Sequence, residues 1–358
     1  MSQTASIVIA GASIAALASQ PTFRGSLIET VARWTGYNAP GGLWRIAAII
    51  LALTNLKSLP FVWHLRFCRA FFYQLYVQPT PIPPHALFQP IITSTRTTLL
   101  ETDYNMHKSN STYFSDMDIS RTHLFTAIIR NGIRKNSRLY GANKSAVAGA
   151  VGATEGTRGK HMIALGGISC LFKKEILPYK KYEMWTRLLC WDRKWFYLVT
   201  HLVKPGVAQP ESWTLQPWKK SKKPAKEYNA EKLKGAVYAT GIAKYVIKRG
   251  RITVAPEQAL FDADMVPAKP EGWVYQGPTK PVESQQPPNG EVLPQVVEPE
   301  EWNWDVIEAE RLRGLAVAEN FAGLDGCHEF FDGGEGWGVG GSLRICCISE
   351  CYSVQVVV

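Results

Sequence analysis

At 358 residues the chain is long enough for one or two domains with a buried core. A hydrophobic content of 46% with 20% charged residues excludes a wholly disordered polymer, and the net charge of +10 suits an anionic partner. Seven cysteines without C-x-x-C spacing exclude a disulfide framework and a zinc-ligand set, which points to the interior of a cell.

From the N-terminus, residues 5–18 form an apolar run that is too short for an ordinary membrane span and lacks the basic start of a signal peptide. A second run covers Leu43–Leu56, broken by Arg45. Phe61–Val77 follows, dense in aromatics around Arg66 and Arg69. Aromatic and cationic side chains together predict helices lying on a membrane surface, with packing on the rest of the chain or on a partner as the alternative. Residues 1–84 are therefore read as an N-terminal helical region. The prolines of 79–84 close it, since they cannot continue a helix.

Residues 85–262 read as one α+β domain. Pro90–Leu100 is rich in β-branched residues and predicts a first strand. A polar stretch from Asp103 then changes into helical spacing, with Phe114, Met117, Leu124, Phe125, Ile128, Ile129 and Ile133 on one face. Asn110 or Ser111 can cap its start, and Arg130, Arg134 and Lys135 suit its end. Gly141–Gly159 reads as a flexible insertion. His161–Ile176, Tyr182–Trp191, Trp195–Val203 and Ala236–Lys248 predict antiparallel strands, with Lys204–Lys232 as a lid or surface loop. Residues 263–301, Pro-rich and acidic, read as a disordered linker, and 302–328 as a helix with Glu310 and Arg313 placed to pair. Residues 329–358 read as a poorly ordered tail.

Several motifs carry nothing. Gly336–Gly341 satisfies G-x-G-x-x-G but follows no strand and opens no helix. No G-x-S-x-G elbow or phosphate loop occurs, and the histidines lack metal-ligand pairing, so neither metal nor cofactor is expected. The dense basic run Lys219–Lys226 comes without a nucleic-acid fold signature, which leaves a membrane surface or a phosphorylated ligand as the anionic partner.

The stretch that carries chemistry is 103–121. A carboxylate, Asp103, and an imidazole, His107, precede the amide-rich start of a helix, where developing negative charge is stabilised. Asp103 also suits a turn fixed through nearby amides. The pattern D-x3-H-x2-N-x2-Y (Asp103, His107, Asn110, Tyr113), followed by Asp116, Asp118 and Arg121, resembles the 4-hydroxybenzoyl-CoA thioesterase-like branch of the hotdog-fold superfamily. It is similar to the membrane-associated thioesterase-superfamily member 6 proteins and to thioesterase-like proteins of fungal natural-product gene clusters. Gly167–Ile176 and Tyr182–Leu198 look like that family's strand pairs, and the resemblance spans roughly residues 88–262. Where the family shows two adjacent Asn after the His, this chain has Ser109 at the first.

The resemblance implies a hotdog fold, a curved antiparallel sheet wrapped around a central helix. It also implies a homodimer with sites between protomers, and hydrolysis of an acyl-CoA or carrier-bound acyl or polyketide thioester. Asp103 matches the family's catalytic carboxylate, as general base or nucleophile. His107 would orient it, bind substrate or brace the loop. Asn110, Ser111 and Tyr113 would bind substrate, with a helix cap and a packed aromatic as the structural alternatives for Asn110 and Tyr113. Asp116, Asp118 and Arg121 are expected in a solvated or intersubunit ion network. The lysines at 173, 174, 180 and 181 are expected on a solvated turn, and Trp185, Trp191 and Trp195 in the core. A catalytically silent hotdog module that binds acyl chains or partners at a membrane is the rival reading.

Overall fold

Strand β1, Ile91–Arg96, starts the sheet, and β2 (His161–Phe172), β3 (Lys181–Trp191), β4 (Phe196–Val203), β5 (Val237–Arg249) and β6 (Ile252–Val254) follow. The computed structural model describes residues 20–37, 39–78, 82–146, 161–207, 215–216, 233, 235–249, 251–275 and 302–330. All pairings are antiparallel, in the order β1-β3-β4-β5-β2, with β6 added to β5. The chain leaves β1, enters the long helix Asn110–Ala146 and returns to the far edge as β2. It is the helix-and-sheet arrangement that the resemblance implies.

Three helices precede the sheet: α1 (Pro21–Thr35), α2 (Gly42–Thr54) and α3 (Val62–Phe72), so Asn110–Ala146 is α4. Helix α4 runs past Arg134–Lys135, where the charge pattern had predicted its end. Its buried face meets the inward side of the sheet. In β3 the inward residues Tyr182, Met184, Thr186 and Leu188 alternate with partly exposed ones, as a strand covered on one face requires. Leu124, Phe125 and Ile128 pack with Leu188, Phe196, Leu198 and Ile247. Gly241 of β5 lets the helix come close, since a Cβ there would stand 2.6 Å from the Met117 sulfur.

Two further helices pack on this frame. Helix α5, Pro256–Asp262, leads to Met265 and Val266, both buried in the main core. The chain is thus still packed beyond residue 262, where the composition had suggested a linker; residues 276–301 lie outside those described. Helix α6, Trp304–Ala322, is capped by Asn303, whose Oδ1 accepts from the Asp305 and Val306 amides at 3.0 Å each. It lies on β3 and β4 through Ala318 and Phe321, which pack with Cys190 and Tyr197. The predicted Glu310–Arg313 pair forms on it.

Most of 204–232 and all of 331–358 fall outside the described residues. Within the first stretch, Leu215 is buried, and Gln216 takes the place of a neighbouring strand beside β1. Its side chain accepts from the Ile92 amide at 2.9 Å and donates to the Ile92 carbonyl at 3.0 Å.

Helix α3 lies along the first half of α4. Trp63 Nε1 donates to the Ser115 carbonyl at 3.2 Å, Gln74 meets His123 at 3.2 Å, and Arg130 donates to the Gln78 carbonyl at 2.7 Å. Helices α1 and α2 instead expose Leu27, Ile28, Trp34, Leu43, Trp44 and Ile50. Among the described residues no helix is long and apolar enough to cross a membrane.

Candidate functional site

The stretch between β1 and α4 folds as a tight turn closed by its own backbone. The Asp103 amide donates to the His107 carbonyl at 2.8 Å, and the Met106 amide to the Asp103 carbonyl at 3.0 Å. Thr102 and Lys108 bridge across its stem. Asp103 Oδ1 accepts from the Asn105 amide at 2.9 Å and the His107 amide at 3.3 Å, the side-chain turn that Asp forms readily. Met106 holds φ at 59° to complete the reversal. Among the described residues no donor reaches the other oxygen, Oδ2. The carboxylate is half-buried, one oxygen fixed by the turn and the other open.

His107 therefore meets Asp103 through its backbone, and its ring forms no hydrogen bond among the described residues. Asn110 and Ser111 are exposed at the first turn of α4. The Ser109 carbonyl accepts from the Thr112 amide at 2.9 Å and from its hydroxyl at 2.7 Å, so Ser109, not Asn110, precedes the helix. Tyr113 is buried, edge-on to Phe172 with ring centroids 5.0 Å apart. Burial, then the neighbouring Cys170 and Asp103, push its hydroxyl pKa well above the usual phenol value. Burial likewise raises the Cys170 thiol to about 11, so it stays protonated and is a poor nucleophile.

Behind the turn lies a buried ionic cluster. Asp116 has no exposed surface, yet accepts from Lys57 at 2.8 Å, Lys108 at 3.0 Å, Tyr182 Oη at 2.5 Å and Arg66 at 3.2 Å. Glu101 joins it through Lys57 at 2.7 Å and Lys108 at 3.3 Å. Burial alone would raise the Asp116 pKa. Lys108 and Lys57, with the Lys57 and Tyr182 hydrogen bonds, outweigh that and hold the carboxyl well below the usual range. Burial and the facing Asp116 push the Tyr182 hydroxyl up, so it stays a donor.

This corrects the expectation that Asp116 and Arg121 lie in a solvated network: both are buried, and only Asp118, which pairs with Arg121 at 2.6 Å, is partly open. Asp116 shares the stripe of Tyr113, Met117, Ser120 and Leu124 at helical spacing. That position signals burial from the sequence, but its partners Lys57 and Arg66 lie some fifty residues away and leave no local signal. Lys173, Lys174, Lys180 and Lys181 are exposed, as expected of a turn, and Lys174 donates to the Gly235 carbonyl. Trp191 is buried and stacks on Phe88, while Trp185 and Trp195 are half-buried. Among the described residues no cluster of His, Cys, Asp and Glu could hold a metal ion.

Residues 97–225, which contain the turn, the cluster's Glu101, Lys108, Asp116 and Tyr182, and β2–β4, match the model of the thioesterase-like superfamily. Over 292 residues the chain is 33% identical to the probable thioesterase atnL of Emericella nidulans, covering 78% of this chain and 85% of that protein. It is 32% identical over 295 residues to thioesterase poxG of Penicillium oxalicum (81% and 87%), and 31% identical over 329 residues to thioesterase lcsJ of Purpureocillium lilacinum (80% and 95%). With the helix-wrapping sheet and the matched turn, these likenesses place the chain in the thioesterase-like hotdog superfamily.

Proposed function

We propose that the chain hydrolyses an acyl thioester, with an acyl-CoA or a carrier-bound acyl or polyketide chain as substrate. The observation that carries this reading is the Asp103 carboxylate, held by two amides through one oxygen and open at the other, just before the start of α4. Its open oxygen would take a proton from water as the water attacks the thioester carbonyl, or would attack that carbon itself. The amides of Ser111 and Tyr113 would donate to the oxygen that gains charge, since that of Thr112 is held by the Ser109 carbonyl. The C–S bond then breaks and the thiol leaves with a proton. His107 would brace the turn, and the exposed Asn110 and Ser111 would face the substrate, while the buried Tyr113 takes the packed-aromatic alternative.

Two further parts belong to this proposal. The rim of β2 exposes Met162, Leu165, Leu171 and Phe172, the kind of edge a second copy covers by strand addition, so the working unit is a homodimer. The apolar faces of α1 and α2, with Arg24, Arg33 and Arg45 nearby and only Glu29 in opposition, suit an anionic membrane surface.

The test is thiol release from a panel of acyl-CoAs by wild type and Asp103→Asn. Turnover that the substitution removes, with folding intact, is the expected result. Equal trace turnover in both proteins would sink the hydrolase reading and leave the silent binding module.

A further inference from the structure

The support under the Asp103 turn comes from the N-terminal helical layer. Lys57 lies in the single turn Leu56–Ser58 between α2 and α3. Its ammonium donates to Asp116 at 2.8 Å and to the Arg96 carbonyl at 2.9 Å, and pairs with Glu101 at 2.7 Å. Its neighbours reach the same segment: Asn55 Oδ1 accepts from the Leu100 amide at 3.0 Å, and Ser58 Oγ meets Thr98 Oγ1 at 2.6 Å.

Glu101 passes this hold to the turn. Its carbonyl accepts from the Ser109 amide at 2.8 Å, and its carboxylate accepts from the Thr98 amide at 3.2 Å and from Lys108 at 3.3 Å. The Lys108 amide in turn donates to the Ile176 carbonyl at 2.8 Å. Both stems of the turn, at Glu101 and at Lys108, thus end in one buried cluster that Lys57 completes. We infer that Lys57 is a positioning residue: through it the N-terminal layer fixes the loop that carries Asp103. The inference rests on the reading of Asp103 as the reacting carboxylate.

The charge count makes the idea testable. Lys57, Lys108 and Arg66 face two carboxylates, Asp116 and Glu101. Lys57→Met leaves two cations against two anions, so the cluster stays balanced and the protein is expected to fold. Lys57→Arg keeps the charge and serves as the rescue.

The experiment is hydrogen exchange by mass spectrometry on the full chain, reading residues 101–109 against β4 and β5, with acyl-CoA turnover measured alongside. In Lys57→Met the loop amides are expected to exchange about tenfold faster, as loss of a charged hydrogen bond implies, with β4 and β5 unchanged. The kcat falls while KM holds, and Lys57→Arg restores both readings.

Loop exchange at the wild-type rate in Lys57→Met overturns the inference. So does equal acceleration in β4 and β5, or a loop as loose in Lys57→Arg. If Lys57→Met does not fold, Ser58→Ala carries the test: faster exchange at 101–109 supports the inference and an unchanged rate overturns it. Absence of wild-type turnover would remove the hydrolase reading, while the exchange data would still decide whether Lys57 holds the loop.

Discussion

Gly314 of α6 lies against the backbone of Leu189 in β3, so closely that a Cβ would stand 2.2 Å from the Leu189 carbonyl oxygen. A glycine inside a helix costs about 1 kcal/mol relative to alanine, so its presence here reflects the contact it permits. Gly314→Ala gains that propensity but must push α6 off a strand backbone that cannot yield. The clash dominates, with a net loss of roughly 1–3 kcal/mol. Denaturant melts would show the loss, and exchange at 304–322 would rise before that of β4. A variant as stable as wild type would mean that α6 slides without cost.

The cluster behind the turn predicts two unequal losses. Tyr182→Phe removes one donor to Asp116 and is expected to cost about 1–3 kcal/mol. Asp116→Asn leaves Lys57, Lys108 and Arg66 facing Glu101 alone, and is expected to cost roughly 3–5 kcal/mol. Urea unfolding of both variants checks the order. A Tyr182→Phe loss larger than that of Asp116→Asn would contradict the charge argument.

Much of the fold was legible because the signal was local. Met117, Leu124, Phe125, Ile128 and Ile129, picked out by helical spacing, are buried as that spacing requires. The turn at Asp103 was legible as well, since Asp and the polar run after it favour such turns. What escaped were contacts between distant segments. Nothing near Lys57 predicts that it meets Glu101 and Asp116, and nothing in the composition of 263–275 predicts Met265 and Val266 in the core. The end of α4 was misplaced because a run of basic residues is also compatible with a helix that continues.

Two half-buried histidines set an acid limit. Burial, with Arg69 and Arg66 nearby, lowers His123 to about 4; burial and Arg187 lower His201 to about 4. Each folded-state pKa lies below the unfolded value, so the unfolded chain binds the proton first. The stability these groups contribute is complete above about pH 6.5 and is lost as the pH falls toward 4, at up to about 1.4 kcal/mol per pH unit for each histidine. His123→Asn is expected to flatten that slope by one proton, read as the urea midpoint against pH. An unchanged slope would show that His123 is not buried in its neutral form.

Lysines on the outer rim of β2 are expected to block strand addition by a second copy. Met162 and Leu171 are 55% and 74% exposed, so Met162→Lys with Leu171→Lys leaves the isolated fold intact while adding like charges across the proposed interface. Sedimentation should show a dimer for wild type and a monomer for the double variant. If wild type is itself monomeric, β2 is not an assembly edge.

The two amides on Asp103 Oδ1 bear on which route the carboxylate takes. They draw charge from the group and fix its plane, which weakens it as a nucleophile while leaving Oδ2 placed to orient a water. General-base catalysis is the expected route. A single turnover in heavy-oxygen water is the first arm: label on the Asp103 carboxylate requires an acyl–enzyme anhydride opened at the Asp103 carbon, whereas general-base attack and an anhydride opened at the acyl carbon both place the label in the released acid. Trapping adds the second arm: hydroxylamine added during turnover converts an anhydride into a hydroxamate on the acyl chain and leaves a base-catalysed reaction at its ordinary product ratio. Acyl hydroxamate formed faster than hydroxylamine attacks the free thioester would reassign Asp103 as the nucleophile. Heavy oxygen confined to the released acid, with no excess hydroxamate, is the outcome the geometry of the turn predicts.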